Sequence, residues 1–192
     1  MEPASAQLSF RSYASTAIPA QADEGDGVLR LQRREADAIR VFFERFWEPS
    51  VRAALLIVHS HAGAEDVAQD SLLRALDRID RFDSTRPLAP WVHAIVVNCS
   101  IDWIRRESRT VSANQRVESS YEDSASFDQG LIEAMKSLAP DQRSAIVMRH
   151  LFGYRANEIA DLLGVPHGTV RARLSRGLAQ LRETLEETNA LD

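Results

Sequence analysis

Residues 111–128, "VSANQRVESSYEDSASFD", constrain this chain more than any other stretch. They are polar, serine-rich and acidic, hold few aliphatic side chains and sustain no apolar period, which is the composition of a linker. No single hydrophobic core can run through such a segment. It divides the 192 residues into two blocks, each near the lower end of what buries a useful core. Apolar residues recur at helical spacing in both blocks, and neither shows strand alternation or an internal repeat. The expected fold is therefore all-α, with two small helical domains, residues 34–110 and 129–187, joined by a flexible linker and free to separate. Residues 1–33, rich in Ala, Ser and Gly and carrying the acidic cluster Asp23, Glu24 and Asp26, bury little and read as a disordered extension.

In the first block Ile39, Phe42, Phe43, Phe46, Val51, Leu55 and Val58 follow helical spacing, and Pro49 predicts a division into two helical pieces. Glu65–Ile79 forms an amphipathic helix, with Val67, Leu72, Leu76 and Ile79 along one face and Glu65, Asp66, Gln69 and Asp70 elsewhere. "RFDSTRPLAP" breaks it through Asp83, Ser84, Pro87 and Pro90. Helical spacing resumes at Trp91, Ile95, Cys99 and Trp103 and ends in the basic "RRESR".

The second block predicts helices over about 129–138, 140–152, 156–163 and 166–186. Pro140 and Pro166 stand at two starts, Gly153 and Gly164 at two stops. The last pair has a helix-turn-helix layout: Ile159, Leu162 and Leu163 face inward, Gly164 permits the turn, and Val170, Leu174, Leu178 and Leu181 form the inner stripe of the longer helix. Arg171, Arg173, Ser175 and Arg176 are then expected to project outward, with His167 and Thr169 near the helix start. Residues 162–182 contain four arginines and no carboxylate in a chain of net charge −5. Local charge governs docking more than the total does, so the expected partner is the major groove of DNA; a merely solvated helix face is the alternative.

Other function classes find little support. The single cysteine, Cys99, lies among apolar neighbours and reads as a buried thiol in a reducing compartment. No run approaches the ~20 apolar residues that span a bilayer, and the first residues lack the pattern of a secretory signal. A cytoplasmic protein without membrane insertion is expected. There is no Gly-rich phosphate loop, and His59 and His61, two apart, do not share a helix face for a metal. No catalytic residue, cofactor or metal site is predicted, and the protein is expected not to be an enzyme.

Two separated motifs then resemble one family. "AEDVAQDSLLRALDRIDRFD" is similar to the region 2.2 helix of bacterial RNA polymerase sigma factors of the extracytoplasmic-function (ECF, sigma-70 family) group. "WVHAIVVNCSIDWIRRESR" resembles the W-x-x-x-I-x-x-N-x-x-x-D-x-x-R-R pattern of regions 2.3 and 2.4, and "LAPDQRSAIVMRHLFGYRANEIADLLGVPHGTVRARLSRGLAQLR" resembles region 4. The resemblance covers about residues 36–185, in the family's order. It implies that the chain binds core RNA polymerase and directs promoter-specific initiation, with no covalent catalysis of its own. Glu65, Asp66, Gln69 and Asp70 are implied to grip the clamp helices of the polymerase largest subunit, and the flap region is a further implied contact. Asn98, Asp102, Arg105 and Arg106, with the loop Phe82–Pro90, are implied to read and open the −10 element, a task that needs a pocket for an unstacked base and cations for a single strand. His167, Thr169, Arg171, Arg173, Ser175 and Arg176 are implied to read the −35 element. An anti-sigma factor is a further implied partner.

Trp91 and Trp103 fit either a stacking role or the core, and their helical spacing favours the core. Arg155 stands where the family often has a capping Ser or Thr, a loss of about 1 kcal/mol if nothing else caps. Val92 and Leu88 replace commoner Leu and Phe. The competing readings are a ligand-sensing transcriptional regulator, an enzyme, and an interaction module that has lost DNA.

Overall fold

The computed structural model describes residues 24–111 and 129–189; the expected linker at 111–128 falls, beyond its first residue, outside them, as do residues 1–23. Every element among the described residues is helical. The first domain holds α1 (Glu24–Gln32), α2 (Ala36–Val58), α3 (His61–Arg78), a 3-10 turn (Ile79–Arg81) and α4 (Leu88–Val111). The second holds α5 (Gln129–Lys136), α6 (Pro140–Ile146), a wide turn (Val147–Leu151), α7 (Ala156–Leu163) and α8 (His167–Asn189).

Two expectations are corrected in the first domain. Helix α2 runs unbroken through Pro49. A proline inside a helix removes one hydrogen bond and crowds the preceding turn, but Phe46 and Ser50 on either side are both buried, so one core holds the two halves in line. Residues 24–32, expected within a disordered extension, form α1 instead. Its sequence is a poor helix former with Gly25 and Gly27, and the helix is held by burial of Val28 and Leu31 against the core.

Helix α2 stops at His59, whose φ of 59° places it in the left-handed region and whose N–H donates to the Leu55 carbonyl. Ser60 then caps α3 by accepting from the Gly63 N–H at 3.1 Å. Gly63 is required where α3 meets α4: a Cβ there would lie 2.7 Å from the Trp103 ring. Trp103 thus packs against the core. Trp91 also packs there, 4.9 Å from the Phe82 ring.

In the second domain two helices start alike. The Ala139 N–H donates to Gln142 Oε1 at 2.8 Å, and the Arg155 N–H donates to Glu158 Oε2 at 2.6 Å. Arginine has no acceptor, so Arg155 caps nothing, and Glu158 supplies the returning half of a capping box instead. Between these helices the Phe152 N–H reaches the Val147 carbonyl five residues back, at 3.2 Å, giving a π-type turn. The turn brings Phe152 and Tyr154 against the first domain.

The two domains touch through named side chains. The His93 ring on α4 stacks on Phe152 at 3.7 Å with a 4° interplanar angle, and His93 Nδ1 lies 2.8 Å from the Tyr154 hydroxyl. Arg143 on α6 donates to the carbonyls of Met135 and Lys136 at the end of α5, and to that of Ile57 at the end of α2 at 2.8 Å. One guanidinium therefore satisfies helix-terminal carbonyls of both domains.

Candidate nucleic-acid interface

Gly164 adopts φ 64° and turns the chain from α7 into α8. Ile159, Ala160 and Val170 are buried across this turn, which fixes the angle of α8. His167, Arg171, Ser175 and Arg176 are exposed on α8 and Thr169 is half-buried. Arg173 departs from its expected outward orientation: it turns toward α6 and pairs with Asp141, leaving its side chain 24% exposed. The reason lies one turn on. Gly177 lets α8 approach α6 so closely that a Cβ would sit 2.9 Å from Ile146 Cδ1. That approach centres the inner face on Val170, Arg173, Gly177 and Leu181, while Leu174 and Leu178 remain half-buried. The glycine in mid-helix is the sequence signal that marks this face.

On α4, Asn98, Asp102, Arg105 and Arg106 are all exposed, and their spacing puts them on one face. Arg105 lies 3.5 Å from Asp102, and Arg106 donates to the Asp102 carbonyl. The loop before α4 is shaped by Asp83, which accepts from the Thr85 N–H and hydroxyl at 3.0 and 2.7 Å. These bonds hold the Asp83 carboxyl below its usual range. Leu88 and Val92 are buried, so the former belongs to the packing under the loop and not to its tip.

On α3, Glu65, Asp66 and Gln69 are exposed, while Asp70 pairs with Arg74 at 2.9 Å. The acidic face thus survives with one carboxylate partly neutralised. Sequence reasoning missed two residues near the loop: Gln32, which sits in the segment read as disordered, and Arg34, whose partners Leu76 and Asp80 lie more than forty residues on in the sequence.

The Sigma-70 region 2 family profile matches residues 42–110, and the Sigma-70, region 4 profile matches residues 128–181. The RNA polymerase sigma-E factor of Streptomyces avermitilis is 34% identical over 140 residues, covering 71% of this chain and 78% of that protein. The chain belongs to the sigma-70 family. The ECF RNA polymerase sigma factor SigL of Mycobacterium tuberculosis is 32% identical over 163 residues, covering 80% of this chain and 92% of its own length, and places it in the ECF group. Among solved structures, the sigma factor RpoE of Bartonella quintana, crystallised with the anti-sigma factor NepR, superposes with TM-score 0.66 at 27% identity, covering 75% of this chain and 94% of that one. The α3 and α4 faces accordingly lie in region 2, the α8 face in region 4, and α1 precedes the matched part of region 2. Among the described residues no helix is long and apolar enough to cross a membrane.

Proposed function

We infer that this ECF sigma factor binds core RNA polymerase in the cytoplasm and directs promoter-specific transcription initiation, reading a −35 element through region 4 and a −10 element through region 2. The observation that carries this reading is that both sigma regions are present in one chain, each with a charged face left uncovered by the contact between domains.

Residue roles follow from chemistry. Arg171 and Arg176 supply cations on an exposed helix that follows a tight turn, suited to base edges and phosphates of a duplex; His167, Thr169 and Ser175 add hydrogen-bonding groups. Arg173 acts there through its pairing with Asp141, holding α8 on α6. Asn98, Arg105 and Arg106 offer an amide and two cations to an opened strand, with Asp102 orienting Arg105. Glu65, Asp66 and Gln69 present an acidic and amide surface for a basic helical partner on the polymerase, and Asp70 orients Arg74 beside it. The factor performs no bond chemistry itself. An anti-sigma protein that covers these faces is the proposed regulator, in line with the complex of the Bartonella sigma factor.

Run-off transcription with purified core polymerase and a promoter library tests the reading. Wild type gives promoter-selective transcripts. Asp66→Ala loses them through weakened core binding, and Arg171→Ala loses selectivity at the −35 element. A wild-type protein that neither binds core nor yields any transcript overturns the assignment.

A further inference from the structure

The loop between α3 and α4 is held from below by a helix outside the matched part of region 2. Gln32, the last residue of α1, uses both hydrogens of its side-chain amide on this loop's entry. It donates to the Ile79 carbonyl at 3.0 Å and to the Phe82 carbonyl at 2.9 Å. These carbonyls close the 3-10 turn, where the Phe82 N–H also returns to the Ile79 carbonyl. Just after α1, Arg34 donates to the Leu76 carbonyl at 2.7 Å and pairs with Asp80 at 3.1 Å. At the other end of α1, Gly25 faces the loop: a Cβ on it would lie 3.6 Å from the Ser84 carbonyl.

Helix α1 thus runs under the stretch from Leu76 to Ser84, bonded to it at its C-terminal end and close to it at its N-terminal end. The anchoring is directional. Two carbonyls at the ends of a 3-10 turn are held from outside the turn when one group donates to both, and a primary amide has the two hydrogens for this. Burial of Val28 and Leu31 seats the helix, so the amide is presented from a rigid support. On the far side, Phe82 packs against Trp91 at the start of α4. The loop's first residue is therefore clamped between an indole and an amide, while Asp83, Thr85, Arg86 and Pro87 stay exposed.

We propose that Gln32 is a positioning residue for −10 element discrimination, acting through the two carbonyls that aim the Phe82–Pro87 loop, since residues 88–90 of the expected loop form the first turn of α4. This rests on the sigma-factor reading above. Gln32 touches no DNA in this scheme; it sets the loop geometry that an unstacked base meets.

The test measures discrimination as a ratio within each protein. Full-length wild type, Gln32→Leu and Gly25→Val are assayed with core polymerase on three templates: a matched promoter, one mismatched in the −10 element and one mismatched in the −35 element. Gln32→Leu keeps the side chain's size and removes both donors, whereas Gly25→Val leaves the donors and sets a branched side chain beside the Ser84 carbonyl. Gln32→Leu is expected to lower the matched-to-mismatched ratio at the −10 element by about five- to tenfold, the net scale of a lost hydrogen bond or two, Gly25→Val to lower it by a smaller factor, and both to hold the −35 ratio within about twofold. A merely structural defect lowers total transcript and leaves both ratios alone. Unchanged −10 discrimination in either folded variant, or equal losses at both elements, overturns the proposal. Wild type silent on every template overturns the function itself and this inference with it; a selective wild type with equally selective variants overturns the inference alone.

Discussion

Regions 2 and 4 each rest on a glycine at a close helix crossing, and the two crossings differ in what the glycine meets. Gly63 faces the indole of Trp103, a large flat ring that must shift as a whole, at 2.7 Å from a notional Cβ. Gly177 faces the terminal methyl of Ile146 at 2.9 Å, with Gln142 Cβ next at 3.3 Å; a terminal methyl has a χ2 torsion through which to shift. Region 2 is therefore a stiff frame for two polar faces on adjacent helices, and region 4 is a more compliant support for one. The interdomain contact follows the same division. Region 4 contributes Phe152 and Tyr154 from a turn, whereas region 2 contributes His93 from the wall of its core.

The largest expected effect comes from acidity. Burial pushes His93 down to about 3, aided by the charge of Arg45. Burial, then the charges of Arg143 and Lys136, takes His59 to about 3 as well. Both are neutral in the fold and gain a proton near pH 6.5 in the unfolded chain, so their contribution is complete above that pH and lost as pH falls below it. Lowering pH from about 7.5 to about 5.5 is expected to cost about 2 to 3 kcal/mol, read from denaturant midpoints at the two pH values. Both histidines line region 2 where it meets region 4, so the loss opens the contact as well as loosening the frame.

Next in size is Gly63→Ala, which drives a methyl group into Trp103 and is expected to lower stability by about 2 kcal/mol, seen as a reduced melting temperature with changed tryptophan fluorescence. Phe152→Ala removes the stacked partner of His93. It is expected to weaken the interdomain contact by about 1 kcal/mol and to raise the radius of gyration in solution scattering, with helix content unchanged. Gly177→Ala is expected to cost less than about 1 kcal/mol, because Ile146 yields. If Gly177→Ala proves as damaging as Gly63→Ala by thermal melting, the distinction between a stiff and a compliant region fails.

Much of this was legible in the sequence. The helices of region 4 were marked by Pro140, Pro166 and Gly164, whose backbone restrictions act locally and need no tertiary knowledge. Glu65, Asp66 and Gln69 were legible as an outer face because Val67 and Leu72 fix the inner one. Three features escaped for one reason, that tertiary packing overrode local preference. Helix α1 exists because Val28 and Leu31 find a core, α2 passes through Pro49 because both its halves share one, and Arg173 turns inward because Gly177 draws α8 onto α6. The pairing of Phe152 with His93 joins residues in different domains, and nothing in the spacing of either announces it.

The wide turn at Val147–Leu151 holds one residue more than an α-helical turn needs. Loss of a single codon there would restore ordinary winding, swing the following residues by about 100° and draw them back about 1.5 Å. Phe152 would leave His93, and α8, carried along with α7, would be pulled from α6, breaking the Arg173–Asp141 pair and the Gly177 crossing. One in-frame codon lost at this turn therefore costs both the contact between the domains and the seating of the helix proposed to read DNA, so the length of the chain is fixed to the residue at this point.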